Sequence, residues 1–393
     1  MAAGGGEGTT WIKILIAGGI LVGIANGIHM AHVGPTWLLA TLLAVGGIGV
    51  VFGSCEAMIV CIQGIAGRLK WNKFVAGTMA GLASNVPEVV MLGFVIAKDP
   101  RIGFIVVAFT LHVGAAAFGL YSALLPRDGS GHARMPEPLV KLSTDLFACA
   151  AGVFLATGGI MMLGSVFGGG TAELLATDLY VIGGCLLFVE IVAVLRLLAR
   201  FSKDGPKTEE EIAQDEAQPE QEEVEIMSVR AIVIYGLIGV LTSVLGGHAV
   251  GEFADILVTG MRAAGYSEML GALILSVFAC AGAIAMIATA HSKGLYDIAL
   301  ANVSGWINQV PFVVMPIALI MIALFSQLGV TTPLPGGGAL PIDLETTSVF
   351  LLAFPPLLIL WKAVQDDGYV NWVETAAMMA VFVLTIYFLV QHG

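Results

Sequence analysis

The sequence predicts an all-α polytopic membrane protein, with about 11 transmembrane helices in two inverted-topology repeats. Three observations carry this. Only 12% of the 393 residues are charged and 58% are hydrophobic, with a mean hydropathy of +0.92. A soluble domain keeps about a quarter of its residues charged, so the solvent for most of this chain is lipid. The cations are distributed with a strong bias between alternate connections. Matching polar segments in the two halves lie on spans of opposite direction.

Runs of about 20 apolar residues suffice to cross a bilayer. They fall at 11–30, 37–66, 74–97, 102–125, 144–167, 177–200, 229–261, 268–290, 298–326, 346–364 and 372–391. Runs 37–66 and 229–261 are over-long, which predicts tilt or an amphipathic turn at the interface. The division that follows has four parts: an extra N-terminal helix (1–36), a first half (37–202), an acidic linker (203–228) and a second half (229–393). Trp11, Trp37, Trp71, Tyr369 and Trp372 stand near span ends and read as interfacial anchors.

Of the 17 Lys and Arg residues, Lys98, Arg101 and Arg262 alone fall in odd connections; the other 14 belong to the N-terminal region and the even connections. The positive-inside rule then expects a cytoplasmic N-terminus and an extracytoplasmic C-terminus. The net charge of −12 owes much to the linker, where ten of the 29 acids lie between Asp204 and Glu225. That stretch reads as a solvated tether or as a cation-sensing cytosolic helix. There is no basic patch, so nucleic acid is not an expected partner. MAAGGGEGTT has no basic region ahead of its apolar run, so no cleaved signal peptide is expected. The five cysteines form no CxxC pair and read as small core residues. The GGG runs at 168–170 and 336–338 open no helix and carry no nucleotide signature. Neither enzymatic activity nor a resident cofactor is expected.

The two halves share a pattern. Each has a long span with an acid (Glu56, Glu252) and an amphipathic bend (RLKWNK, MRAAGYSE). A small-residue span, a polar bend (KDPR, SKGLYD) and another span follow. Span three and span eight lie about 195 residues apart and run in opposite directions, the layout of an inverted repeat.

The chemistry concentrates in ASNVPEVVML, residues 83–92. An acid at mid-membrane is costly, so Glu88 is expected to face protein, water or an ion. Ser84 and Asn85 precede it by four and three residues and share its helix face. Pro87 removes a backbone N–H and frees the carbonyl of Ala83. Hydroxyl, amide, carboxylate and unwound-backbone oxygens would then converge as a hard-cation site. A kinked helix whose Glu88 pairs with a neighbouring polar group fits the residues equally well. His29 and His32, three apart, with His112 and His248, read as interfacial or hydrogen-bonded side chains; metal ligation or proton relay is the sharper alternative.

GTMAGLASNVPEVVMLGFVIAKDPRIGFIVV resembles the first signature repeat of the calcium/cation antiporter superfamily. DIALANVSGWINQVPFVVMP, with Gln309 and Pro316, resembles the second repeat of its cation/proton exchanger branch. The resemblance covers about residues 50–325. It implies ten core helices in two inverted halves and a midplane site with one acid from each repeat, binding a cation in exchange for protons or sodium. Position by position, it implies Glu88 as the first acid, with Ser84 and Asn85 beside it, Thr110 on the next helix and Gln309 from the second repeat. The second acid's position holds Ala283, and Trp306 stands where a small polar residue is usual. Glu252, Asp255 and Glu56 are the candidates to compensate. The expected function is cation antiport by alternating access, with Ca²⁺ or Na⁺ as the cargo and Glu88 as the shared cation and proton carboxylate. The alternative is an exchanger-fold scaffold or subunit of a larger membrane complex. The lipid bilayer, an inorganic cation and a proton or sodium are the implied partners; protein partners and a homo-oligomer are left open.

Overall fold

The computed structural model describes residues 10–69, 71, 73–135, 137–167, 172–201, 227–292, 294, 296–365 and 368–392. The acidic linker up to 226, the N-terminal nine residues and the GGG at 168–170 lie outside the described residues. Among the described residues ten helices are long and apolar enough to cross a membrane, and a bent pair, taken as one span, makes an eleventh.

The first half comprises α1 (Thr10–Met30), α2 (Thr36–Leu69), α3 (Lys73–Lys98), α4 (Pro100–Leu124), α5 (Glu137–Phe167) and α6 (Ala176–Phe201). The second half begins with α7 (Val229–Ala263). The eighth span is the bent pair α8 (Glu268–Ala279) and α9 (Ala281–Ser292), which meet at 47°. The ninth joins α10 (Tyr296–Gln309) to α11 (Met315–Gln327) through a π-helical turn at Val310–Val314. The tenth combines α12 (Leu344–Leu351) with α13 (Phe354–Gln365), and α14 (Trp372–His392) closes the chain.

Local chemistry sets the helix starts. Asp99 caps α4 by accepting from the Ile102 N–H at 3.0 Å, with Pro100 in the first turn where its missing N–H costs nothing. Ser228 and Ser267 cap α7 and α8. Asp343 and Thr346 cap α12 reciprocally, a satisfied pair of backbone donors.

Helix α4 is apolar on all sides and buried on all sides, 94% of its central window, so it is the hub of the bundle. The two over-long helices, α2 and α7, run against each other, and small residues let their backbones approach. A Cβ built on Gly246 would lie 2.9 Å from Val51 Cγ2. Between α1 and α2 the approach is closer still: a Cβ on Gly18 would lie 2.8 Å from the Gly46 carbonyl oxygen. The outer faces of α1, α6 and α7 present Ile16, Ile20, Val181, Leu195 and Leu241 to the bilayer.

The packing repeats with a pseudo-twofold. Span two pairs with span seven; span four packs on span eleven as span nine packs on span six; span five packs on span ten. Two short ribbons obey the same exchange. Ala133–Arg134, after α4, pairs antiparallel with Tyr369–Val370, after α13. Glu173–Leu174, after α5, pairs antiparallel with Leu340–Pro341, after α11. The first ribbon joins connections four and ten, the second joins five and nine. Even connections thus meet even and odd meet odd, as alternate crossings of a membrane require.

Pro87 does not unwind its helix: α3 is continuous from Lys73 to Lys98. The expectation of an unwound backbone there is corrected, because the neighbouring turns and packed helices hold the helix through one missing bond. The core reading of the cysteines is corrected for two of them. Cys55 and Cys280 are buried and Cys61 is half-buried, but Cys149 and Cys185 are exposed on outward helix faces. A thiol is apolar enough to face lipid without a partner. The GGG at 336–338 has a structural role: the Gly336 and Gly338 N–H groups donate to the Glu173 carboxylate at 3.1 and 2.8 Å, against which Gly338 leaves no room for a side chain.

Candidate cation site

Glu88 sits in the middle of α3, 8% exposed, and its Oε1 has no hydrogen-bond partner among the described residues. Around it stand neutral polar groups from both halves. Asn85 Nδ2 donates to Gln309 Oε1 at 2.8 Å, so the first repeat's motif and the second repeat's glutamine touch across 224 residues of chain. Gly81 makes this contact possible, since a Cβ there would lie 3.1 Å from Gln309 Nε2. Gln309 is the last residue before the π-helical turn, a local widening that re-aims the residues flanking it. Asn308 beside it is also buried, with an unpartnered Oδ1.

Ser84 turns its hydroxyl back to the Gly81 carbonyl at 2.7 Å, and its own carbonyl accepts from the Cys55 thiol at 3.4 Å. Thr110, fully buried on α4, donates to the Val106 carbonyl at 3.0 Å. The Cys280 thiol, at the bend between α8 and α9, meets the Thr110 side chain. Cys55 and Cys280 both lie within electrostatic reach of Glu88. Gly282 follows the bend and leaves only ordinary contact distance to Cys55 Sγ, 3.5 Å from its would-be Cβ.

Spans two, three, four, eight and nine are therefore linked by contacts near this stretch of α3. Sequence reasoning named Ser84, Asn85, Glu88, Thr110 and Gln309 but missed the two thiols, whose apolar flanks hide them among core residues. Two of the suggested substitutes for the absent second acid are engaged elsewhere. Glu252 accepts from Lys98 at 2.7 Å and Asp255 lies 3.7 Å from the same ammonium, at the odd-connection face. Ala283 is half-buried against the core and brings no polar atom. Among the described residues no group of three or more His, Cys, Asp or Glu side chains can hold a metal ion.

The histidines are apart from this centre. His112 is buried and its Nε2 lies 3.0 Å from the Val349 carbonyl, as a hydrogen-bonded core histidine would. His29 and His248 line a cleft of about 380 Å³ with Asn26 and Glu252, and His29 and His32 line a second of about 210 Å³. Neither cleft reaches Glu88.

The odd-connection face is closed by ion pairs between the halves. Arg101 Nε lies 2.7 Å from Asp343, its Nη1 lies 3.2 Å from Glu268, and it also pairs with Glu345. Arg262 adds a 2.7 Å bond to Glu268. All three odd-connection cations are neutralised in this way. At the opposite face Arg127 donates to the carbonyls of Ser122, Gly131 and Val370 and stacks 3.8 Å over Trp372.

This bundle, with its pseudo-twofold packing, has a fold that solved cation exchangers share. Three solved structures illustrate the likeness. The crystal structure of the H⁺/Ca²⁺ exchanger CAX matches with a TM-score of 0.66 at 10% identity, over 96% of this chain and 88% of that one. Native YfkE matches with a TM-score of 0.56 at 15% identity, over 97% and 99%. The sodium-calcium exchanger NCX_Mj matches with a TM-score of 0.51 at 14% identity, over 88% and 98%. No protein-family model matches the chain, and no curated protein is similar to it in sequence.

Proposed function

We propose that this integral multi-pass protein is a secondary cation antiporter working by alternating access, with Glu88 as the group that carries cation and proton in turn. One observation carries the reading: a buried carboxylate with an unpartnered oxygen, held where both repeats meet. Ionised, it is a cation ligand; protonated, it is neutral and suited to the apolar core. An empty, charged Glu88 is the costly state to carry across, and this couples the two fluxes. Ser84, Asn85, Thr110 and Gln309 supply neutral oxygen ligands. Movement of one helix group against the other would expose the site alternately, as in other inverted-repeat transporters. The exchangers of known structure support the reading by fold. The cation bias supports a cytoplasmic N-terminus and an extracytoplasmic C-terminus.

Purified protein in proteoliposomes tests it. Cation-driven proton movement is expected in the wild type and lost in Glu88→Gln, which keeps the shape and removes the charge. Undiminished exchange in that variant sinks the assignment. The absent acid at Ala283 favours a second reading, a non-transporting scaffold or subunit. Stoichiometric co-purifying partners together with no calorimetric cation binding would establish that one instead.

A further inference from the structure

We propose that the Glu88 site is built for a monovalent cation, exchanged one for one with a proton without net charge movement. This rests on the exchange reading of Glu88 and follows from the charge of the groups around it. The groups joined by contacts along this stretch are neutral: the Asn85–Gln309 amide pair, the Cys55 thiol on the Ser84 carbonyl, and the Thr110 hydroxyl with the Cys280 thiol. The second repeat reaches the site at the α8–α9 bend, but there it contributes Cys280, Gly282 and Ala283, none a carboxylate. Glu252 and Asp255 are committed to Lys98. Of the other carboxylates, Glu56 on α2 and Glu190 on α6 stand well inside their spans, and Glu56 is next to Cys55 and within electrostatic reach of it.

A single negative charge decides what the core can hold. With one monovalent ion bound the site is neutral, and with one proton bound it is neutral again. Both loaded forms cross at equal electrostatic cost. A divalent ion would leave one uncompensated positive charge in an apolar interior, which burial opposes strongly. Calcium in addition takes 6–8 oxygens, and its affinity rises with the number of ligand charges. The amide and hydroxyl oxygens suit a weakly charged hard ion that needs dipoles more than charges.

The test is proton flux in proteoliposomes of the full chain, driven by Na⁺, Li⁺ or K⁺ and separately by Ca²⁺, Mg²⁺ or Mn²⁺. At least one monovalent ion is expected to drive exchange about tenfold or more faster than any divalent ion. For Na⁺ and Li⁺ the rate is expected to be the same at zero and at negative-inside potential. Exchange driven equally well by a divalent ion, or steered by the potential, overturns the proposal while leaving Glu88 exchange intact. Exchange with no cation, or exchange that survives Glu88→Gln, overturns the parent reading as well. Two sets of variants sharpen the charge count. Ala283→Glu is expected to raise the divalent rate relative to the monovalent one by about tenfold or more, by adding the second charge beside the bend. Glu56→Gln and Glu190→Gln are expected to keep monovalent exchange; its loss in either means that two charges serve the site and refutes the inference.

Discussion

At the scale of single residues, the contact between Asn85 and Gln309 is what makes one site out of two repeats. Neither amide is charged, yet both are buried, at 6% and 8% exposure, and a hydrogen bond from Asn85 Nδ2 to Gln309 Oε1 joins them. Removing either strands its partner's polar group. Asn85→Ala and Gln309→Ala should each weaken apparent cation affinity by roughly 5- to 30-fold, the equivalent of about 1–2 kcal/mol. The double variant should lose less than the product, with a coupling of about 0.5–1.5 kcal/mol. Flux measured against cation concentration in the four proteins gives this cycle. Strictly additive losses would mean that the two amides act on the cation separately.

At the scale of elements, packing between helices depends on backbone approach more than on side-chain bulk. Gly18 and Gly19 make the point, since they are adjacent on α1 and differ only in direction. A Cβ at Gly18 would meet the Gly46 oxygen and the Val50 nitrogen, both at 2.8 Å, whereas at Gly19 nothing lies within 4 Å. Gly18→Ala should therefore destabilise the docking of α1 on α2 by about 1–3 kcal/mol. Gly19→Ala should be neutral, or stabilising by about 0.5–1 kcal/mol through helix propensity. Thermal unfolding in detergent distinguishes them, and equal midpoints would remove the case for close approach. The composition shows that both positions are glycine, but the face each occupies is a property of the packed pair.

At the scale of the whole molecule, the two ribbons and the Arg101 cluster fix which connections share a side. Arg101 draws together Glu268, Asp343 and Glu345, from connections three, seven and nine. The described ion pairs there are partly exposed, so their worth in stability is modest; their effect is to tie the two halves at one end. The proposed orientation rests on the charge bias. A cysteine placed at Ser130, in connection four, should react with an impermeant maleimide only from the cytoplasmic side when introduced into a variant lacking the native thiols. One at Gly337, in connection nine, should react only from outside. The reverse pattern in intact cells would invert the assignment.

The span count and the parity of the connections were legible in the sequence, and the five candidate oxygen ligands were proposed from it. Each rests on local chemistry: hydropathy over about 20 residues, the sign of flanking charge and the company an intramembrane acid keeps. The continuity of α3 through Pro87 was not legible, because neighbouring helices decide whether one missing hydrogen bond unwinds a turn. Nor were the thiols at the site, or the outward direction of Cys149 and Cys185, since an apolar flank looks alike on an inner and an outer face. By itself the sequence determined a membrane bundle whose first signature segment carries an acid where the second carries alanine. Only the tertiary structure decided that Glu252 and Asp255 serve Lys98, and that the Asn85 and Gln309 amides meet near Glu88. Which charges meet depends on helix rotation and on contacts hundreds of residues apart, and no local pattern encodes these.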